Sequence, residues 1–307
     1  MVILSNLFPV FAMIGMGKLL KHFNLTSDTF LKTSDRLVYF FFFPALLFWK
    51  IGGAQRSASI DWNFCIATIC SVLSGYIFSL IFIFLFKVPA FKAGTFSQSC
   101  YRFSSYIGIA IILSASGEEG VRHYGILIGF VIPVINVLAV STLIWFSGES
   151  YDFRDRCRIT IGAIISNPLI AACVAGVLYS RFFHNFPPFL DNSLRMVSSA
   201  AIPLSLLSIG GSLTFKAVKD DFKLSLAAAA IKLIIFPSTG YLFYRVFSVT
   251  GVPFGVGMIF FALPTSTAIY ILSSQLGSDT KLASAAIMIS TILSFFSLSA
   301  ALILGVR

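Results

Sequence analysis

Laid over itself at a shift of 159 residues, the sequence matches its own second half. Pro9 falls on Pro168, Ala12 on Ala171, Gly17 on Gly176, Leu19 on Leu178 and Phe23 on Phe182. Phe30-Leu31 falls on Phe189-Leu190, Ser34 on Ser193, Arg36 on Arg195 and Val38 on Val197, and Pro44, Leu47 and Gly52 meet Pro203, Leu206 and Gly211. Shared apolar composition produces scattered Leu or Phe matches, but not Pro, Arg and Gly held in one ungapped register. The chain is a duplication, and a duplicated chain has to fold as two copies of one unit.

The unit is built for lipid. The sequence is 57% hydrophobic and 11% charged, with a mean hydropathy of +0.92, against about 25% charged residues in soluble domains. Its apolar residues gather into ten runs: Ile3–Leu20, Leu37–Gly53, Phe64–Phe86, Phe96–Ser116, Tyr124–Phe146, Ile159–Tyr179, Met196–Phe215, Leu224–Phe247, Val252–Leu272 and Leu282–Leu304. They are continuously apolar rather than alternating, which predicts spanning helices and excludes barrel strands. The expected fold is all-α and membrane-embedded, with ten transmembrane helices. Lys18 and Lys21 stand at the C-terminal end of the first run and no basic segment precedes it, the wrong polarity for a cleaved signal peptide.

Loop charge orients the helices. Lys18, Lys21, Lys32, Arg36, Lys87, Lys92, Arg154, Arg156, Arg158, Lys216, Lys219, Lys223 and Lys281 fall in the odd-numbered loops. Only Lys50, Arg56, Arg122, Arg181, Arg195, Arg245 and Arg307 fall on the other side. The positive-inside rule therefore predicts cytoplasmic odd loops and both termini outside the cytoplasm. The net charge of +10 belongs to those short loops and does not point to nucleic acid. The longest cytoplasmic connector, Ser147 to Arg158, mixes both signs and reads as a solvated loop. Five helices separate the copies, and five is odd, so residues 1–158 and 159–307 are expected to insert in opposite senses. Inverted repeats of this kind are the hallmark of secondary transporters, which bind substrate near mid-membrane between the copies.

One span carries polar residues at the depth where lipid penalises them most. Gln98-Ser-Cys-Tyr-Arg-Phe-Ser-Ser-Tyr-Ile-Gly108 lies within the fourth run, and placing Arg102 there costs about 2.5–3.5 kcal/mol on insertion scales. Either Arg102 snorkels to the nearer interface, or the helix breaks around a polar site; the polar run continues inward past Arg102, which favours the break. The repeat supplies a partner in the ninth run, Phe260-Phe-Ala-Leu-Pro-Thr-Ser-Thr-Ala-Ile-Tyr270. Pro264 removes a backbone donor and disfavours helix at the residue before it, and Thr265, Ser266 and Thr267 supply hydroxyls. At about 1.5 Å per residue, Ser104 lies about 12 Å from the cytoplasmic end of its span. Pro264 lies about 18 Å from the outer end of its own by the same rise. Both breaks fall near the middle of a core about 30 Å thick, so helices four and nine are expected to cross there.

In each broken helix the second half then starts at mid-depth, and two helix N-termini favour an anion at the crossing. The two basic residues deep within spans, Arg102 and Lys232, have the matching sign, while Lys18, Lys50 and Arg245 stand at span ends and all twelve Asp and Glu lie in loops or at span ends. Candidate substrate-binding residues are Arg102, Ser104, Ser105, Tyr106, Asn136, Lys232, Pro264, Thr265 and Ser266. Two roles are open to Lys232, ligand or helix cap, and two to Asn136, lining the site or bonding a neighbouring backbone. No CxxC, HExxH or GxxxxGK[ST] motif occurs, and His22, His123 and His184 lack metal-ligand spacing. No catalytic residue, metal or cofactor is therefore expected, and the chain does not read as an enzyme.

Several motifs together resemble the auxin efflux carrier family of membrane transporters. They are Arg36-Leu-Val-Tyr with Pro44-Ala-Leu-Leu-Phe, Tyr101-Arg-Phe-Ser-Ser-Tyr-Ile-Gly108, Ser166-Asn-Pro-Leu-Ile, Ile202-Pro-Leu with Ile209-Gly-Gly-Ser-Leu, Ile231-Lys-Leu-Ile-Ile-Phe-Pro237 and Ala262-Leu-Pro-Thr. The resemblance covers essentially the whole chain. It implies ten helices in an inverted five-plus-five repeat with helices four and nine crossed, a fold similar to bile acid sodium symporters. It further implies a scaffold of helices 1, 2, 6 and 7 that forms a homodimer, and a transport domain of helices 3–5 and 8–10. Members of the family export auxin in plants or move malate, malonate and other carboxylates in bacteria. The short connector between helices five and six resembles the bacterial members, which places the chain in the inner membrane. Where the family often has Asn in the fourth-helix crossover, this chain has Ser104, which offers a hydroxyl in place of an amide.

The expected function is a secondary transporter of small organic anions, carboxylates foremost, working by alternating access at the crossover. Its alternative within transport is a sodium-coupled organic anion symporter of the bile-acid type. Its alternative outside transport is a membrane sensor reusing the fold, which a partner signalling domain would mark.

Overall fold

A computed structural model of the chain describes residues 2–53, 61–146, 154–155, 158, 161–162, 165–183, 185–212 and 218–305. Most of the connector from Ser147 to Arg158 lies outside the described residues, as do His184, Arg56, Lys216 and Arg307. Among the described residues all regular structure is helical. In chain order the helices are α1 (Val2–His22), α2 (Asp28–Leu37), α3 (Phe43–Gly52), α4 (Trp62–Leu85), α5 (Ala90–Tyr101), α6 (Ser105–Phe146) and α7 (Pro168–Phe182). They continue with α8 (Pro188–Ser199), α9 (Ala201–Ser212), α10 (Val218–Ala230), α11 (Phe236–Val246), α12 (Gly251–Ala262), α13 (Ala268–Gln275) and α14 (Thr280–Gly305).

Among the described residues five helical stretches are long and apolar enough to cross a bilayer: Trp62–Leu85, Ala90–Phe146, Pro188–Ser212, Asp221–Val246 and Thr280–Gly305. Ala90–Phe146 runs for 57 residues, far more than the ~20 that one crossing needs. It is interrupted twice, at Arg102–Ser104 and at Gly117, whose φ of 62° lies in the left-handed region that glycine tolerates. Glu118 and Glu119 follow that second interruption directly.

Two short π-helical turns, Val38–Phe42 and Ile231–Ile235, join α2 to α3 and α10 to α11. Each ends two residues before a proline, Pro44 or Pro237. A proline cannot donate to the carbonyl four residues back, and a single wider turn lets the helix pass that point without breaking. The second expected span starts nine residues late against this helix. The polar positions Asp28, Lys32 and Asp35 read as loop in the sequence, yet the helix begins at Asp28, with the Ser27 hydroxyl accepting from the Phe30 N–H at 3.1 Å.

The chain forms two compact units. The first comprises Met1–Asp61, Ile109–Phe130 and Ile165–Ser212. Within it α1 packs on α9 at glycines: a Cβ on Gly17 would run into the Leu207 backbone, and one on Gly210 into the Ile14 backbone. Helix α3 packs on α7 in the same way, with a Cβ on Gly176 meeting Ile51 and the Gly52 backbone. The 159-residue shift carries α1 onto α7, α3 onto α9 and Gly17 onto Gly176, so one packing is built twice. The Trp49 indole N–H donates to Asp191 at 2.7 Å, and Lys50 pairs with Glu118.

The second unit comprises Trp62–Gly108, Val131–Ile164 and Leu213–Arg307. It repeats itself too, at a shift of 161. Helices α5 and α12 are each twelve residues long. Each follows a turn with one left-handed residue, Lys87 (φ 50°) or Ser248 (φ 53°). Each turn is closed by an equivalent bond, Val88 N–H to Ile83 O at 3.0 Å and Val249 N–H to Tyr244 O at 2.9 Å. Lys92 at the start of α5 reaches both Asp221 of α10 and Asp279 at the cap of α14. Buried aromatic rings fill the middle, and a Cβ on Gly240 of α11 would overlap the Phe261 ring of α12.

Candidate functional site

Helices α5 and α12 stop at the same relative point and in the same way. After Tyr101 the chain turns extended at Arg102 (φ −68°, ψ 155°), and after Ala262 it turns extended at Leu263 (φ −63°, ψ 145°). For Leu263 the cause is Pro264, which disfavours helix at its predecessor. No proline or glycine follows Tyr101; the break there is held by tertiary bonds instead. The Ser104 N–H donates to the Pro264 carbonyl at 2.9 Å, so the two interruptions touch backbone to backbone. Each strand then re-enters helix, α6 at Ser105 and α13 at Ala268. The Ser104 carbonyl accepts the Gly108 N–H at 3.1 Å, and the Ser266 hydroxyl accepts the Ala268 N–H at 3.2 Å. Two helix N-termini therefore begin at one crossing.

The crossing is braced from two further helical segments. The Ser290 hydroxyl of α14 accepts the Thr265 N–H at 3.2 Å, and Ser297 donates to the Ala262 carbonyl at 2.8 Å. Lys232, in the π-turn before α11, is fully buried; its ammonium donates to the Phe261 carbonyl at 3.0 Å and sits 4.2 Å from the centre of the Phe236 ring. Ala262 and Phe261 are the last residues of α12, where unsatisfied carbonyls and the negative helix end favour a cation. The Lys232 ammonium accordingly sits on the carbonyl end of α12.

Arg102 is half-buried. Its guanidinium donates to the Asn136 side-chain oxygen at 3.2 Å and to the Gln98 side-chain oxygen at 3.4 Å. Asn136 is buried and meets Arg102 here. Ser104 is buried at the crossing, while Ser105, Tyr106 and Ser266 are half-buried around it. The Thr265 hydroxyl is 2% exposed as a residue and has no hydrogen-bond partner among the described residues. A buried hydroxyl in that state is suited to a polar ligand.

Seven of the nine sequence candidates thus lie at the breaks themselves; Asn136 joins them through Arg102, and Lys232 through the carbonyl end of α12. Three partners were missed: Gln98, Ser290 and Ser297. Gln98 was legible in principle, since it stands four residues before Arg102 on the same helical face. Ser290 and Ser297 were not, because serines are frequent in α14 and nothing local distinguishes these two. Among the described residues there is no cluster of His, Cys, Asp and Glu able to hold a metal ion.

Known sequences match along the whole length. The family described as Membrane transport protein matches residues 2–302. An uncharacterized transporter of Methanocaldococcus jannaschii is 24% identical over 289 residues, covering 92% of this chain and 92% of the relative. An uncharacterized transporter of Methanothermobacter thermautotrophicus is 22% identical over 298 residues, covering 96% of this chain and 95% of the relative.

Proposed function

Because the chain belongs to the auxin efflux carrier family of membrane transport proteins, we propose that it is a secondary transporter of small organic anions, carboxylates foremost. The observation that carries this reading is the guanidinium of Arg102, clamped by two amide oxygens beside the crossing of two broken helices. Two helix N-termini and a guanidinium make a receptor for a compact anion: N–H donors complement carboxylate oxygens, and the helix dipoles add positive potential. Thr265, Ser266, Ser105 and Tyr106 supply neutral polar groups for the rest of the substrate. Lys232 acts through α12, holding its carbonyl end at the crossing.

The wider architecture in this proposal is ten spans in an inverted five-plus-five repeat. The twofold recurrence of the glycine packing and of the turns before α5 and α12 supports it. A scaffold from helices 1, 2, 6 and 7 holds a homodimer, and the crossover domain of helices 3–5 and 8–10 moves against it to give alternating access. The compact units divide along that line except for Ile109–Phe130, which groups with the first. The protein sits in the inner membrane with both termini outside the cytoplasm. Single cysteines at the exposed positions Lys223 and Arg181, in a background with Cys157 and Cys70 replaced, report this orientation. An impermeant thiol reagent applied to intact cells is expected to label position 181 and spare 223; the opposite pattern inverts the topology.

The substrate class is tested by flux. Purified protein in proteoliposomes is expected to move at least one of labelled acetate, malonate, malate and benzoate, with unlabelled carboxylates competing and choline not. A carrier that moves organic cations or neutral solutes and ignores all four acids contradicts the anion reading.

A further inference from the structure

An amide side chain has two faces, an accepting oxygen and a donating NH₂. Gln98 offers its oxygen to the Arg102 guanidinium and its Nε2 to the Ser273 hydroxyl at 3.0 Å. Turned over, it would set NH₂ hydrogens against guanidinium hydrogens and repel what it now holds. Gln98 is fully buried, so neighbours decide which way it faces.

Those neighbours form a chain whose direction is forced from its far end. The Phe91 carbonyl accepts the Asp279 N–H at 3.1 Å and the Ser278 hydroxyl at 2.8 Å. A carbonyl only accepts, so the single hydroxyl hydrogen of Ser278 is committed there. Ser278 must then accept from the Thr95 hydroxyl, 2.8 Å away. With its own hydrogen committed, Thr95 must accept from Ser273 at 2.7 Å. Ser273, its hydrogen spent in turn, accepts from whatever faces it from Gln98, which can only be the NH₂. The oxygen of Gln98 is thereby left for Arg102.

We infer that Gln98 is a positioning residue for anion binding: a one-directional hydroxyl relay from the Phe91 carbonyl through Ser278, Thr95 and Ser273 fixes its amide so that its oxygen holds the Arg102 guanidinium in place. The inference rests on the reading of Arg102 as an anion-binding group. It also explains why three hydroxyls lie in contact from the half-buried turn at Ser278 to the buried Thr95 and Ser273: each one transmits an orientation. Gln98 works through Arg102 and needs no contact with the substrate.

A double-mutant cycle tests it, with equilibrium binding of the tightest-binding carboxylate among acetate, malonate, malate and benzoate as the readout and thermal melting as the control for folding. Gln98→Met, which keeps the length and loses both polar faces, is expected to weaken binding about tenfold. In an Arg102→Gln background the same change should cost less than twofold, because the group it positions is gone. Ser273→Ala, a milder change that frees the amide to turn, should weaken binding severalfold alone and not at all beside Arg102→Gln; it decides the matter if Gln98→Met does not fold. Wild-type binding in Gln98→Met, or losses that multiply in the double variants, overturns the role of Gln98 and leaves the anion site standing. Arg102→Gln binding like the parent, or a parent that binds none of the four acids, removes the anion site and this inference together.

Discussion

Replacing Arg102 with glutamine is expected to weaken carboxylate binding by tenfold to over a hundredfold, with the protein still inserted and folded. A charge-assisted hydrogen bond is worth about 1.5–3 kcal/mol, and about 1.4 kcal/mol is a factor of ten in affinity. The side chain it replaces is half-buried and bonded to Asn136 and Gln98. Glutamine retains a donor for either amide oxygen, so the local packing survives while the charge does not. Titration of the detergent-purified or nanodisc protein with the preferred carboxylate measures the loss directly. Had Arg102 merely snorkelled to the interface, the variant would bind and transport as the parent does, and Arg102 would leave the site.

How far the sequence could be read depended on how local each cause was. The break before Pro264 is local: a proline dictates the conformation of Leu263 whatever surrounds it. The break after Tyr101 has no such residue, and only the misplaced polarity of Gln98 to Gly108 marked it. What holds it open is a backbone bond from Ser104 to Pro264, and a contact across 160 positions leaves no trace in either segment. The glycine pairs were visible as repeated letters, Gly17 and Gly176, but their meaning as helix-crossing points needed the partners Leu207 and Ile51. The start of α2 was missed for a different reason. Its polar face, with Lys32 and Asp35, masks the helical spacing of Leu31, Ser34 and Val38, which are buried. Gln98 could be paired with Arg102 from its spacing, but its hydroxyl relay could not, being assembled from residues of α5, of α13 and of the turn that follows α13.

The remaining expectation concerns what drives the cycle. Proton-coupled carriers keep an Asp, Glu or His along the transmembrane path, and here two acids near the ends of the broken helices, Asp279 and Glu118, already have partners. Asp279 caps α14 by accepting from Lys281 and Leu282 N–H at 2.8 and 3.0 Å, and Glu118 pairs with Lys50. A negative interior potential by itself expels anions: moving one charge through 100 mV is worth about 2.3 kcal/mol. At about 1.4 kcal/mol per factor of ten, that sustains a gradient of about fiftyfold for a monovalent anion. We therefore expect electrogenic efflux needing neither a sodium nor a proton gradient. Carboxylate-loaded proteoliposomes held at equal pH without sodium, with the potential set by potassium and valinomycin, give the measurement. Flux should rise with the imposed potential and reverse with its sign. Flux that ignores the potential and requires a pH gradient would point elsewhere, first to Asp35 at the end of α2. Burial holds its carboxyl above the usual range, against the opposing pull of a hydrogen bond from Ser208, which favours its protonated form. Asp35→Asn would then abolish the pH-driven component, whereas under potential-driven efflux it should leave the dependence on voltage unchanged.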